Sequence, residues 1–136
     1  MARILVIDDD DLVRGTVQAI LATAGHEISL ASNGEQGLSV LEGETFDLVI
    51  MDVFMPQKEG IETIRDMRRL GIETAVIVMT GGPTQRPDGT RPAGVNYLQM
   101  ARAFGATGTL QKPFTRQQLL TLVDQCLAGP EPPPAA

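Results

Sequence analysis

Short apolar runs alternate with amphipathic stretches along most of the chain. The first run, ILVI at residues 4–7, has no polar interruption, which is typical of a strand buried on both faces of a sheet. Runs of similar length recur, although the second and the fifth are less apolar. Together they predict five strands, at residues 4–7, 27–31, 46–51, 75–79 and 107–110.

Between the predicted strands, apolar residues recur every three or four positions, which is the spacing of a helix with one buried face. Ser32 and Glu35 have the spacing of a capping box and should begin the second helix. The helices are predicted at residues 12–21, 32–41, 60–70, 95–104 and 117–127. Regular alternation of strands and helices indicates an α/β fold, a doubly wound five-stranded parallel sheet with helices on both faces.

Two segments interrupt this alternation. Residues 81–94 are rich in glycine and proline and predict a long loop after the fourth strand. The tail at 129–136, GPEPPPAA, contains too much proline for a packed element. We therefore expect one domain at residues 1–128, a proline-rich C-terminal tail at 129–136, and no second domain.

Composition and charge narrow the range of functions. The chain has 136 residues, of which 17 are acidic and 11 basic, and its net charge of −6 disfavours direct contact with nucleic acid. No apolar run approaches the roughly 18 residues of a membrane span, and the start lacks the pattern of a signal peptide. The single cysteine, Cys126, has no partner for an internal disulfide. We expect a cytoplasmic protein that binds neither nucleic acid nor a membrane.

Polar residues with complementary chemistry cluster where the predicted strands end. Asp8 and Asp9 directly follow the first strand, and Asp52 follows the third. Thr80 follows the fourth strand, and Lys112 lies just beyond the fifth. In a doubly wound sheet, the carboxyl ends of the strands meet at one edge, where ligands bind. The three carboxylates would repel one another unless a hard cation such as Mg²⁺ were bound between them.

This set of groups suits phosphoryl transfer. One carboxylate can attack phosphorus, as in aspartyl-phosphate enzymes, once a metal ion screens its charge. Lys112 would add a second positive charge, and the Thr80 hydroxyl would donate a hydrogen bond to a phosphoryl oxygen. Phosphoryl transfer depends mainly on positioning and on neutralisation of charge, and the set provides both.

Four motifs, in order, resemble the receiver domain of two-component response regulators. They are ILVIDDD at the start, DVFMPQKEG from Asp52, Thr80 after an apolar strand, and QKPF around Lys112. The resemblance runs from about residue 4 to residue 127 and implies a flavodoxin-like fold with strand order 2-1-3-4-5. The long loop followed by YLQMA also resembles stand-alone, single-domain receivers.

The resemblance implies a role for each acidic residue. Asp52 would accept the phosphoryl group from a phosphohistidine on a sensor histidine kinase or a histidine phosphotransferase. Asp9 would bind Mg²⁺ directly and Asp8 mainly through water, with Asp52 and the backbone carbonyl of Phe54 as further ligands. Such a protein catalyses only its own Mg²⁺-dependent phosphorylation and dephosphorylation, so it would not be an enzyme that turns over an external substrate.

The remaining groups would connect the phosphate to a signal. Lys112 would pair with Asp52 and then with its phosphate, and Thr80 would move towards that phosphate. Pro113 completes the Lys-Pro pair of the family, which commonly has a cis peptide bond. The output would be contact with a downstream protein target, or onward relay of the phosphate, by a monomer or weak dimer.

Two departures from the family pattern concern how phosphorylation is read out. Thr109, three positions before Lys112, stands where receivers usually have an aromatic residue that moves with the Thr or Ser. Tyr97, the only tyrosine, could replace that aromatic residue or could simply pack at the edge of its helix. The stretch from Thr80 to Lys112 is about ten residues longer than usual, so its loop could bind a partner or be a solvated insertion.

Two other functions are compatible with parts of this pattern. A small α/β hydrolase or phosphatase could use Asp52 on an external substrate. Such enzymes generally need a second acid near the nucleophile, and VFMPQKEG has none at the second position after it. A degenerate receiver could bind partners without phosphorylation; the complete acidic set argues against that function, whereas Thr109 leaves it open.

Overall fold

A computed structural model describes residues 2–52, 60–81 and 105–128, with residues 80 and 81 described by their backbone only. The strands are β1 (Arg3–Ile7), β2 (Glu27–Ala31), β3 (Leu48–Asp52), β4 (Ala75–Gly81) and β5 (Gly108–Lys112). The helices are α1 (Asp11–Thr23), α2 (Gly34–Gly43), α3 (Gly60–Arg69) and α4 (Arg116–Leu127). Predictions for Phe54, for the loop and helix spanning 82–104 and for the tail at 129–136 concern residues outside this set.

The strands form one parallel sheet in the order β2-β1-β3-β4-β5. This order and the parallel arrangement confirm the predicted fold class. In this order the central strand is β3, with β1 and β4 on either side of it, so the switch in strand order lies between β1 and β3. Among the helices so described, none has both the length and the apolar character required to cross a bilayer.

Two hydrophobic clusters lie on opposite faces of this sheet. Leu5 and Ile7 of β1 belong to the cluster that includes side chains of α2 and α3. Ile4 and Val6 belong to the cluster that includes side chains of α1 and α4. This alternation follows from the two-residue period of a strand. Because helices cover both faces, the apolar runs of β1 and β3 have no polar interruption. Within the described residues, the prediction of helices on both faces is confirmed.

Short polar side chains accept hydrogen bonds from backbone amides in the first turns of α1 and α2. The Asp10 carboxylate accepts from two backbone amides in the first turn of α1, which is the usual role of an N-cap aspartate. The N-cap of α2 is Asn33, whose side chain accepts from the Gln36 amide at 2.8 Å. The predicted capping box of Ser32 and Glu35 is therefore wrong by one residue, because Ser32 instead donates to the Gln36 side chain.

Three strands continue beyond the apolar runs that predicted them. Asp52 is the last residue of β3, Lys112 is the last residue of β5, and β4 continues past Thr80. In the ladder, Asp52 pairs with Met79, and Thr80 pairs with Gln111. The prediction that these three residues follow their strands is thus corrected by one or two positions. Backbone pairing continues after the last apolar side chain, so a prediction from hydrophobicity alone ends each of these strands too early.

A close approach between α2 and β1 depends on Gly37. A Cβ at this position would overlap Ile7 Cδ1 and lie 2.9 Å from Ile7 Cγ1, and Ile7 is completely buried. We expect Gly37→Ala to lower the free energy of unfolding by about 1–3 kcal/mol, measured by urea denaturation. Gly43→Ala in the same helix meets nothing within 4 Å and is the control. Equal effects of the two substitutions would contradict the steric explanation.

Candidate functional site

Three carboxylates meet at the carboxyl-terminal edge of the sheet. Asp8 and Asp9 come directly after β1, and Asp52 ends the neighbouring strand β3. Carboxylate oxygens from the three residues lie within 4.8 Å of one another. Asp8 is 0% exposed and Asp52 is 7% exposed, whereas Asp9 is exposed at the rim of the cluster. The structure therefore brings together the three acids that the sequence placed at strand ends.

Lys112 reaches this cluster from the far edge strand, β5. Its Nζ donates to Asp52 Oδ2 at 2.8 Å and to Asp8 Oδ2 at 3.3 Å. The Lys112 side chain is 21% exposed, so most of this contact is shielded from water. The bond to Asp52 agrees with the pairing expected from the sequence. The bond to Asp8 was not predicted, because nothing in the sequence distinguishes which of several nearby acids a lysine will contact.

The backbone of Asp8 and its carboxylate are both held in place. Its N–H donates to the Ala31 carbonyl of β2 at 3.1 Å. Its Oδ1 accepts from the Asp10 amide at 2.9 Å, while its own carbonyl accepts from the Arg14 guanidinium. Sequence reasoning missed Arg14, since a side chain that binds a main-chain carbonyl leaves no motif.

The pKa values of Asp8 and Lys112 are both raised above their usual values, for different physical reasons. Burial raises the pKa of Asp8 above its usual value, and the nearby Asp52 charge adds to the increase. The Asp10 amide and the Lys112 charge oppose that increase. Burial would lower the pKa of Lys112, but its hydrogen bonds and charge interactions with Asp52 and Asp8 outweigh burial and raise it. Lys112 is therefore protonated at neutral pH, while the pKa of Asp8 stays above its usual value despite the Lys112 charge.

The donor atoms of the cluster fit a hard divalent cation. Asp8, Asp9 and Asp52 offer only oxygen, and at least one oxygen of each lies close to the others. All-oxygen sites with carboxylates select Mg²⁺ or Ca²⁺ over softer metals. Burial raises the pKa of Asp8, and a bound cation would oppose that increase by favouring the ionised carboxylate. These three residues would hold the ion; Phe54, the fourth predicted ligand, lies outside the described part of the chain.

Two further expectations concern the strands beside the cluster. The backbone of Thr80 lies in β4, paired with Gln111, one residue before Lys112 in β5. This register places Thr80 at the same edge of the sheet, although its side chain is not among those described.

The Lys112–Pro113 peptide bond is cis, as the resemblance implied. Thr109 is partly buried in β5 and pairs with Val78, so the usual aromatic position is occupied by a small polar residue.

The fold and the acidic cluster are both features of one family of signalling domains. The sequence profile described as the response regulator receiver domain matches residues 4–124. The chain therefore belongs to the receiver domain family of two-component response regulators. Receiver domains of this family carry an acidic pocket of the kind formed by Asp8, Asp9 and Asp52.

Individual relatives support the same assignment. The transcriptional regulatory protein DltR of Streptococcus agalactiae is 31% identical over 121 residues, which cover 89% of this chain and 50% of DltR. The response regulator MprA of Mycobacterium tuberculosis is 31% identical over 134 residues, or 98% of this chain and 54% of MprA. This chain thus spans about half the length of these relatives.

A solved structure extends the comparison to three dimensions. The CheY-like response regulator receiver domain from Methanospirillum hungatei superposes with a TM-score of 0.81 at 26% sequence identity. The match covers 94% of this chain and 94% of that one. Unlike the two longer relatives, this receiver domain is matched over nearly its whole length.

Proposed function

We propose that the protein accepts a phosphoryl group on Asp52 and signals its phosphorylated state through contacts with other proteins. The observation that carries the proposal is the contact between Lys112 and Asp52. A nearly buried carboxylate lies 2.8 Å from an ammonium group, inside a cluster of acids suited to Mg²⁺. Phosphoryl transfer requires this combination of a fixed nucleophile and nearby positive charge.

In the proposed transfer step, Asp52 is the nucleophile and Lys112 supplies positive charge. A carboxylate oxygen of Asp52 forms a bond to phosphorus as the phosphorus–nitrogen bond of a donor phosphohistidine breaks. The bonding electron pair returns to the imidazole nitrogen. Lys112 Nζ, already shared between two carboxylates, donates to the oxygens of the incoming group. A bound Mg²⁺ would supply the remaining charge neutralisation.

The donor that fits this chemistry is the phosphohistidine of a sensor histidine kinase or a histidine phosphotransferase, since receiver domains are phosphorylated by such proteins. For the output, we propose a protein target rather than nucleic acid, because the net charge of −6 opposes contact with a polyanion. The phosphate would add a charge of about −1.5 to −2, enough to bias a two-state surface. Turnover of an external phosphoester is not part of this function.

A single labelling experiment tests the proposal. The purified chain is incubated with a small phosphodonor, with and without Mg²⁺, and examined by intact mass spectrometry. We expect one added phosphoryl group per chain, only when Mg²⁺ is present, and a label that is lost on alkaline treatment. Catalytic release of phosphate from a phosphomonoester, without labelling, would instead indicate a phosphatase. A folded chain that neither takes up label nor binds Mg²⁺ would indicate a degenerate receiver.

A further inference from the structure

Arg14, one turn into α1, directs its guanidinium back to the loop between β1 and α1. Its Nη1 donates to the backbone carbonyl of Asp8 at 2.6 Å, and its Nη2 pairs with the Asp11 carboxylate. The Arg14 side chain is only 16% exposed, whereas Asp11 is 91% exposed. The planar guanidinium is pre-organised, so arginine loses little freedom for each hydrogen bond that it makes.

The bond from Arg14 acts on the peptide group that joins Asp8 to Asp9. This group is planar, so the Asp8 carbonyl and the Asp9 amide move together. The Asp8 side chain needs no help from Arg14, because Asp10 and Lys112 already hold both of its oxygens. Arg14 therefore mainly fixes the backbone from which the Asp9 side chain extends.

Asp9 depends on its backbone more than the other two acids do. It is exposed, and within the described residues no hydrogen bond or ion pair holds its carboxylate. One of its carboxylate oxygens nevertheless lies within 4.8 Å of oxygens of Asp8 and Asp52. A side chain without bonds of its own stays in such a cluster only if its backbone is well placed.

We propose that Arg14 is a positioning residue for the divalent cation site. It holds the peptide between Asp8 and Asp9 so that the Asp9 carboxylate faces the cluster, and Asp11 neutralises the Arg14 charge on the solvent side. The inference rests on the proposed function, since it assumes that the cluster binds a cation. Groups that orient metal ligands without contacting the metal commonly change metal affinity by about 10–100-fold when they are removed.

Loss of the Arg14 charge and loss of its positioning role would change Mg²⁺ affinity in opposite directions. A positive charge close to the cluster repels a cation, so an effect of charge alone would make Mg²⁺ bind more tightly when Arg14 is replaced. Loss of positioning would make Mg²⁺ bind more weakly. The sign of the change therefore separates the two effects.

The test is calorimetric titration of the full chain with Mg²⁺. We expect Arg14→Gln to weaken Mg²⁺ binding about tenfold, and Arg14→Lys, which keeps a donor nitrogen and the charge, to weaken it less. Arg65→Gln, which removes a charge from an exposed position on α3, should leave the affinity within about twofold, as most surface changes do. At saturating Mg²⁺, the labelling rate of Arg14→Gln should return close to that of the unsubstituted chain, because the nucleophile is untouched.

Thermal unfolding without Mg²⁺ shows which variants are folded, and Arg14→Met, which also removes the charge and the hydrogen bond, replaces Arg14→Gln if that variant is not. Mg²⁺ affinity that is unchanged or increased in the folded variant would overturn the positioning role while leaving the proposed function intact. A labelling rate that stays low at saturating Mg²⁺ would also overturn it, because Arg14 would then act on the reaction itself. Failure of the unsubstituted chain to bind Mg²⁺ would overturn the proposed function, and the positioning role with it.

Discussion

Asp52→Asn should abolish labelling by a small phosphodonor, with a loss of at least about a thousandfold in rate. The substitution replaces the carboxylate that contacts Lys112 at 2.8 Å with an amide of nearly the same shape. An amide oxygen is a much weaker nucleophile towards phosphorus than a carboxylate, and the amide removes one negative charge from the cluster. Intact mass spectrometry over a time course measures the loss directly.

Asp124→Asn is the matched control for this substitution. It makes the same chemical change on the exposed surface of α4, away from the cluster, and should leave labelling unchanged. The Asp52→Asn variant should remain folded, because one fewer carboxylate relieves repulsion within the cluster. If it were labelled at the rate of the unsubstituted chain, the acceptor would be a different residue, and peptide mapping would identify it.

Lys112→Met should separate binding of the cation from transfer of the phosphoryl group. Without Mg²⁺, removal of the ammonium leaves the buried carboxylates of Asp8 and Asp52 without their shared partner. Breaking a buried ion pair from one side costs roughly 3–5 kcal/mol of stability. Mg²⁺ should restore much of that stability and should bind roughly tenfold more tightly, since a competing positive charge is gone. Labelling at saturating Mg²⁺ should nevertheless fall by about 10²–10³-fold.

Three measurements check these effects. Urea denaturation with and without Mg²⁺ measures stability, calorimetry measures Mg²⁺ affinity, and the labelling time course measures the rate of transfer. Lys112→Arg keeps the charge and is the matched control; it should retain most of the stability without Mg²⁺. If Lys112→Met bound Mg²⁺ more weakly and lost labelling to the same extent, Lys112 would act mainly by holding the site together. Its direct role at the phosphoryl group would then be refuted.

Much of the site could be predicted because it is attached to strands that are easy to find. Asp8, Asp9 and Asp52 follow runs of apolar residues, and parallel strands bring such ends together whatever the distance along the chain. The strand order itself came from the resemblance to receivers, since periodicity shows that strands exist but not which strands are neighbours. The structure confirms that order.

The parts that sequence reasoning missed are contacts without a repeating pattern. Apolar runs report which side chains are buried, so they placed Asp52 and Lys112 after strands that in fact include them. Adjacent capping residues, Ser32 and Asn33, could each begin α2, and only the path of the chain selects Asn33. The bond from Arg14 to a main-chain carbonyl depends on side-chain direction at the start of α1, which no spacing rule describes.

The bond between Lys112 and Asp8 joins residues 104 positions apart, and this separation affects when the site is first complete. During synthesis on the ribosome, Asp8 and Asp52 emerge long before Lys112 does. The edge strand β5, which carries Lys112, also has to pair with β4 before the ammonium can reach the carboxylates. A nascent chain therefore presents the acids without their counter-charge until β5 has been added to the sheet. The proposed capacity to accept a phosphoryl group would thus be acquired only when β5 is in place.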